Sequence, residues 1–389
     1  MMRQMFNANV ISSFAEKETP FYYYDLSLLK ETLDACNTAA SKFNFHVHFA
    51  LKSNFNKKIL SIIENKGFGA DCVSGGEISR AKEIGFAANK IVFAGVGKSD
   101  SEINLALDSD IFCFNVESVQ ELFVISELAQ KKGKIANVAI RVNPNVDAHT
   151  HQYITTGLDE NKFGINTWEL PAVAEALKAC KHISFLGIHF HIGSQITDMN
   201  VFKSLCIKVN EVQNWFEERG MPVKLLNVGG GLGVNYHEPD ANAIVDFEAY
   251  FKIFHDFLEI KPGKEVHFEL GRALVAQCSS LISKVLYVKN GKSKNFAVLD
   301  AGMTELMRPA LYQAYHQIEN LSKHNSSSEI KYDVVGPICE SSDCFGKEIH
   351  LPETHRGDLI AIRTTGAYGE VMASAYNLRP DIRYVFGNS

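Results

Sequence analysis

The sequence predicts an α/β fold, a (β/α)8 TIM-like barrel followed by a mainly antiparallel β domain. Two observations carry this. Between residues 46 and 272 a short apolar strand alternates with a helical pattern until eight strands have been counted. From about residue 273 that alternation stops, and period-two runs follow one another without intervening helices of similar length. The implied organisation is a (β/α)8 barrel over 27–271 and a β domain made of 1–26 and 272–389.

The eight strand candidates are 46–53, 67–74, 90–96, 111–118, 138–144, 185–194, 225–231 and 265–272. Between them the period becomes helical. Ile59, Leu60 and Ile63 precede Gly67, and Leu205, Val209, Val212 and Phe216 precede Gly220, which are one-faced helices with glycine stops. In DFEAYFKIFHDFL, Phe247, Tyr250, Phe251, Phe254 and Leu258 share one stripe, so the aromatic residues there are core material. Beyond the barrel, LISKVLYV, NFAVLD, YDVVGP, DLIAIRT and IRYVF read as strands, with the polar run at 322–329 as a surface loop. The early run PFYYYD reads as a further strand of the same domain.

A chain of 389 residues has room for two sizeable domains, and 46% hydrophobic with 22% charged residues excludes disordered and fibrous classes. The net charge of -6, with lysines dispersed, provides no basic face for nucleic acid and points to small-molecule partners. Eight cysteines, mostly inside apolar runs and without a CxxC element, read as reduced thiols. The start MMRQMFNANVISSFAEK has no apolar core of signal-peptide length, and no run approaches the roughly 18 apolar residues of a membrane helix. A cytoplasmic location is expected.

In an eight-stranded parallel barrel the active site forms at the C-terminal ends of the strands. Those ends supply Lys52, Asp71, Asn115 with Glu117, Arg141 with Asn143, His189 with His191, the GGGLG run at 229–233, and Glu269 with Arg272. Lys52, in HVHFALKSN, is the most informative of them. Its strand alternation would bury it, and burial lowers an amine's pKa and frees it to attack a carbonyl, whereas an ordinary strand-terminal lysine reaches to solvent.

The glycine run could cradle a phosphate or make a purely steric turn. It lacks the lysine of a triphosphate-binding loop, which leaves a smaller phosphate ester. His189 and His191 have no evident third partner, so no metal is expected and an imidazole stacked on a flat cofactor is the sharper reading. Glu269 requires a cation, either Arg272 or a protonated pyridine nitrogen.

Together ALKSN, HFHIGSQ, GGGLG, ELGR, MRPALY, CESSD and GAYGE, in this order and spacing, resemble the fold-type III pyridoxal-phosphate decarboxylases, whose fold is alanine racemase-like. The resemblance runs from about Phe21 to Tyr376, and DAHTHQYITTGLDENKFGI at 147–165 resembles a branch distinct from the ornithine and arginine enzymes. It implies pyridoxal 5'-phosphate as cofactor, amino-acid decarboxylation, and a homodimer with shared active sites.

Roles follow from the resemblance only at matching positions. Lys52 would carry the cofactor as a Schiff base, His191 would stack on its ring, and Glu269 would keep the ring nitrogen protonated. Ser194, Gly230, Gly231, Gly271 and Arg272 would surround the phosphate, helped by Tyr368. Arg272, Arg308, Tyr312 and Tyr368 would hold substrate, with Cys339 and Glu340 contributed by the other subunit and Cys339 as proton donor. Arginine forks and a carboxylate suit a substrate with two amino-acid ends.

Two departures stand out. The family's EPGR is ELGR here, so Leu270 constrains that turn less than proline would. After GAY, Gly369, Glu370 and Val371 add a carboxylate. Rival readings are a sister decarboxylase, a racemase of the same fold, whose catalytic tyrosine has no counterpart here, and a barrel-only cofactor carrier, which would need neither MRPALY nor CESSD.

Overall fold

The computed structural model describes residues 5–146, 162–323 and 329–387. The chain forms two compact units. One comprises Leu33–Gly233 and Asp246–Gly271, the other Met1–Thr32, Val234–Val245 and Arg272–Ser389. The second unit begins with strand β1 (Phe21–Asp25).

The first unit holds β2 (His46–Ala50), β3 (Gly69–Cys72), β4 (Ile91–Phe93), β5 (Cys113–Val116) and β6 (Ala136–Asn143). It continues with β7 (Ile165–Asn166), β8 (Ile183–His189), β9 (Leu225–Asn227) and β10 (Glu265–Leu270). The order β5-β4-β3-β2-β10-β9-β8-β6, closed by a β5–β6 pairing, is an eight-stranded barrel, and every pairing in it is parallel. β7 lies outside the ring, paired to β6. All eight expected strands are present, but most are shorter than their apolar runs. A run such as 185–194 stays apolar past His189 because Phe190 and Ile192 are themselves buried, while the strand ladder ends at His189.

Side-chain caps start the helices directly after the strands. Asn56 accepts from Lys58 N, Ser74 from Glu77 N and Ser118 from Glu121 N, each satisfying a donor at a helix start. The aromatic stripe packs as expected. On helix Phe247–Phe257, Phe251 and Phe254 lie 4.8 and 4.9 Å from the ring of Phe268 on β10, and Phe45 joins them at 5.2 Å. Each such ring, fully buried, contributes about 1.5–3 kcal/mol.

The second unit adds β11 (Ser279–Asn290), β12 (Asn295–Leu299), β13 (Ile318–Asn320), β14 (Glu329–Val335), β15 (Cys344–Pro352), β16 (Leu359–Arg363) and β17 (Arg383–Gly387). They form a sheet in the order β13-β16-β11-β12-β14-β15, with β1 antiparallel to β11 and parallel to β17. PFYYYD thus joins the β unit as expected. β15 escaped the sequence reading because Lys347, Glu348 and His350 leave it exposed at its centre and interrupt the alternation.

All eight cysteines are free thiols, six of them buried. Among the described residues no helix is long and apolar enough to cross a membrane. The run at 147–165 lies outside the described residues as far as 161.

Candidate active site

Lys52 corrects one expectation. β2 ends at Ala50, and Lys52 sits in the 3-10 turn Leu51–Ser53 with its side chain 36% exposed. The amine is therefore not entombed in the sheet: the strand stops two residues before it, and the turn carries it to the C-terminal rim. Its Nζ lies 3.9 Å from Oδ2 of Asp71, which is buried at the end of β3. Burial pushes the Asp71 carboxyl well above the usual carboxylate range, the charge of Glu269 adds to this, and Lys52 opposes it.

Glu269, on β10, is the centre of the barrel's polar interior. Asn115 and Asn227 donate to its Oε1 at 2.9 and 2.7 Å, and His189 Nε2 contacts its Oε2 at 2.9 Å. Burial alone would raise this carboxyl, but the His189 contact and the Lys52 charge outweigh burial and hold it well below its usual range. The Arg272 pairing weighed from the sequence is not what satisfies Glu269. Arg272 instead donates to Tyr236 at 2.5 Å.

His191 is half-buried two residues beyond the end of β8, and Gly230 N donates to its Nδ1 at 3.4 Å. Desolvation and the Lys52 charge push this imidazole well below its usual range, so it is neutral. Gly229 and Gly231 have φ of 68° and 108°, a region that favours glycine, and a Cβ on Gly230 would collide with the Glu269 carbonyl oxygen. The glycine run is thus packed directly against the strand that carries Glu269. Likewise a Cβ on Gly271 would stand 2.8 Å from Ser53 Oγ, so ELGR folds against the turn that bears Lys52. Leu270 is buried as the last residue of β10, paired with Phe49, so the sheet accepts it in place of proline. Ser194 is half-buried in the loop after β8.

At the same rim, Glu117 accepts from Arg141 Nη1 and from Gly95 N, both at 2.7 Å, and from Gly164 N at 3.1 Å. Arg141 also lies over the Phe163 ring at 4.9 Å.

In the β unit, a second polar cluster surrounds Tyr236. Its phenol oxygen accepts from Arg272 at 2.5 Å and from Arg308 at 2.8 Å. Arg308 also donates to His316 Nε2 at 3.2 Å, because His316 Nδ1 donates to the Arg363 carbonyl at 2.7 Å. The Arg272 guanidinium lies over the Tyr368 ring at 4.8 Å, and Tyr368 adopts φ of 57°, a strained conformation for a bulky residue. Tyr312 ends the short helix Arg308–Tyr312, half-buried. Cys339 and Glu340 are exposed, and Tyr376 donates to Glu340 at 2.8 Å. Glu370 is buried in the turn Glu370–Met372, where its charge adds to burial in raising the Tyr22 phenol.

The structure therefore brings Lys52, His191, Gly230, Gly271 and Glu269 together in the barrel, and Arg272, Arg308 and Tyr368 together in the β unit. Sequence reasoning missed Asn227 and Tyr236 and gave Asp71 and Asn115 no role. Only the position of Asp71 and Asn115 at strand ends signalled them.

Four buried atoms, Asp71 Oδ1 and Oδ2, Asn115 Oδ1 and His189 Nδ1, have no hydrogen-bond partner among the described residues. Native interiors seldom leave such groups unpaired, so this end of the barrel suits a polar guest. Glu269 accepts three hydrogen bonds of the roughly four a carboxylate can take, which leaves room for one more donor. A molecule with an aldehyde for Lys52, a basic ring nitrogen for Glu269 and a phosphate for the glycine turn would engage the amine, the ionised carboxylate and the glycine turn together. That places the molecule among the fold-type III pyridoxal-phosphate enzymes.

Comparison with known proteins agrees. Residues 28–276 match the pyridoxal binding domain of the pyridoxal-dependent decarboxylases. The chain is 57% identical to the diaminopimelate decarboxylase of Bacteroides thetaiotaomicron over 370 residues, 95% of each protein. It is 41% identical to that of Helicobacter pylori over 380 residues, covering 97% of this chain and 92% of the relative. A crystal structure of the Helicobacter pylori diaminopimelate decarboxylase complexed with L-lysine superposes with a TM-score of 0.91 at 40% identity, over 97% of this chain and 94% of that one. The chain belongs to the pyridoxal-dependent decarboxylases, and within them to the diaminopimelate decarboxylase family.

Proposed function

We propose that this chain decarboxylates meso-2,6-diaminopimelate to L-lysine and CO2, the last step of lysine synthesis, with pyridoxal 5'-phosphate as cofactor. The observation that carries the reading is Glu269, a buried carboxylate held ionised beside Lys52 with one acceptor position unused.

Bound in the barrel, the cofactor supplies an electron sink for the pair left at Cα when CO2 departs. Lys52 Nζ would hold the cofactor through its aldehyde. Glu269 keeps the ring nitrogen protonated, and Asn115, Asn227 and His189 keep Glu269 in place. Neutral His191 lies against the ring face without adding a charge. Ser194, Gly230, Gly231, Gly271 and Arg272, with Tyr368, hold the phosphate. Arg272, Arg308, Tyr312 and Tyr368 bind substrate, with arginine forks for its distal carboxylate.

Cys339 returns a proton to Cα and Glu340 receives the distal ammonium, both from the other subunit of a homodimer. The barrel domain spans 27–271, with 1–26 and 272–389 as the β domain, and the enzyme works in the cytoplasm without nucleic-acid or membrane partners.

The test is direct: the cofactor-loaded protein is supplied with meso-diaminopimelate, ornithine, arginine or carboxynorspermidine, and CO2 and amine products are measured. Lysine and CO2 from meso-diaminopimelate alone support the reading. Preference for another substrate, or epimerisation without gas, overturns it.

A further inference from the structure

The opposite end of the barrel carries a second constellation that the decarboxylase reading does not use. β2 and β10 are the first and last strands of the barrel, and their pairing closes it. At the N-terminal start of that seam His46 and His267 are register partners, and Glu265 shares the side of β10 that carries His267. The nearest ligand atoms of His46, Glu265 and His267 lie within 4.8 Å of one another. The His46 and His267 rings are 4.7 Å apart.

The hydrogen-bond sequence behind them assigns the protons. The Lys90 carbonyl oxygen can only accept, so His48 Nδ1, 3.0 Å away, donates to it. With one proton on that ring, His48 Nε2 is an acceptor, and His267 Nδ1 at 2.8 Å must donate to it. With one proton on His267, its Nε2 is a bare lone pair, yet it faces Oε2 of Glu265 at 3.1 Å. Two lone pairs at that distance repel unless a cation lies with them. His48 and His267 are both buried, which favours singly protonated rings, and the His267 ring is further fixed by stacking on Phe112 at 5.3 Å.

We propose that His46, Glu265 and His267 bind one divalent transition-metal cation of the zinc class. Two imidazoles and a carboxylate with one open position are a common donor set for zinc. The relay from His267 through His48 to the Lys90 carbonyl is the kind of outer support that orients metal-ligating histidines and raises their basicity. His46 and Glu265 are exposed, so an ion can enter from solvent. The site joins strands far apart in sequence at the barrel's closing seam, so the bound ion acts as a clip that stabilises the closed barrel, at the end where barrel residues serve stability rather than catalysis. The sequence reading expected no metal, because it considered only the His189 and His191 pair.

The experiment uses the cofactor-loaded protein, stripped with a chelator, desalted, and dialysed against micromolar Zn2+. Retained metal is measured by atomic spectroscopy, and thermal unfolding is followed with and without Zn2+. The expected result is one equivalent per chain and a Tm raised by several degrees. His46→Ala and Glu265→Gln, both at exposed positions, should bind at least about tenfold more weakly and lose the Tm rise. Co2+ in place of Zn2+ should give visible ligand-field bands in the wild type that the two variants lack. Absence of retained Zn2+ in the wild type would mean that the facing lone pairs are bridged by a proton, and it overturns the proposal. So does a His46→Ala/Glu265→Gln double variant that keeps the same equivalent and the same Tm rise.

Discussion

His189 Nε2 lies 2.9 Å from Oε2 of Glu269, with both side chains buried. The contact fixes the carboxylate's orientation and makes the barrel's central group a carboxylate already ionised and already aimed. A pyridine nitrogen entering beside it meets a fixed negative charge and not one that must first lose a proton.

Glu269→Gln keeps the shape and removes the charge. Lys52 is untouched, so the cofactor should still bind and give its absorbance. kcat should fall by about 10²–10³-fold, the usual cost of losing one preorganised electrostatic partner. Steady-state kinetics alongside the absorbance spectrum checks this, and a kcat within twofold of wild type would remove Glu269 from the electron-sink role.

Glu117 gives a pH-dependent prediction. Burial raises its carboxyl, but the charges of Arg141 and Lys98 and two backbone donors outweigh burial, so its folded pKa is lowered. A lowered folded pKa contributes stability that is fully present above the unfolded value, about 4.3, and is lost as pH falls toward the folded value. Glu117→Gln leaves Arg141 without its charged partner and should cost about 3 kcal/mol at pH 7. Denaturant midpoints of wild type and variant should stay separated down to about pH 4 and converge only below it. A gap that is constant through pH 3 would show that the pair does not carry the stability.

Much of this architecture was legible because parallel strands buried on both faces read as apolar runs, and a charged residue at the end of one is conspicuous. Lys52, Glu269 and the glycine run stand out for that reason. The limits of the strands were not legible, since apolar runs such as 185–194 continue past the last paired residue. Tyr236 was hidden because 234–245 follows GGGLG in sequence yet belongs to the β unit. Asn227 falls inside the expected strand 225–231 as an ordinary polar residue, and only the closed ring shows its side chain turned to Glu269. His46 and His267 become neighbours only once the first and last barrel strands pair.

Tyr236 should prove more than a spectator. Its oxygen is a shared acceptor for two buried guanidiniums, and the Arg272 and Arg308 charges overcome burial to lower its phenol pKa. Tyr236→Phe removes that acceptor at almost constant volume. Hydrogen bonds to charged groups are worth about 1.5–3 kcal/mol, so the variant should lose that much stability in denaturant titration. If these arginines hold the substrate's distal carboxylate, KM for diaminopimelate should also rise about tenfold, with a smaller effect on kcat. An unchanged KM would leave Tyr236 a purely structural residue.

Subunit sharing can be tested with two inactive variants. Lys52→Ala should lose the cofactor's absorbance band and nearly all turnover, because no other amine stands beside Glu269 in the described barrel. Glu340→Ala should be inactive toward diaminopimelate while retaining the band, since Glu340 is exposed and packs no core. Mixing the two under conditions of proven subunit exchange makes half of the dimers hybrid. In each hybrid, one site combines an intact Lys52 from one chain with an intact Glu340 from the other, and the second site has neither. Activity should therefore recover to about a quarter of the wild-type value per chain. A site completed within a single chain gives no recovery at all, because every chain in the mixture lacks one of the two groups.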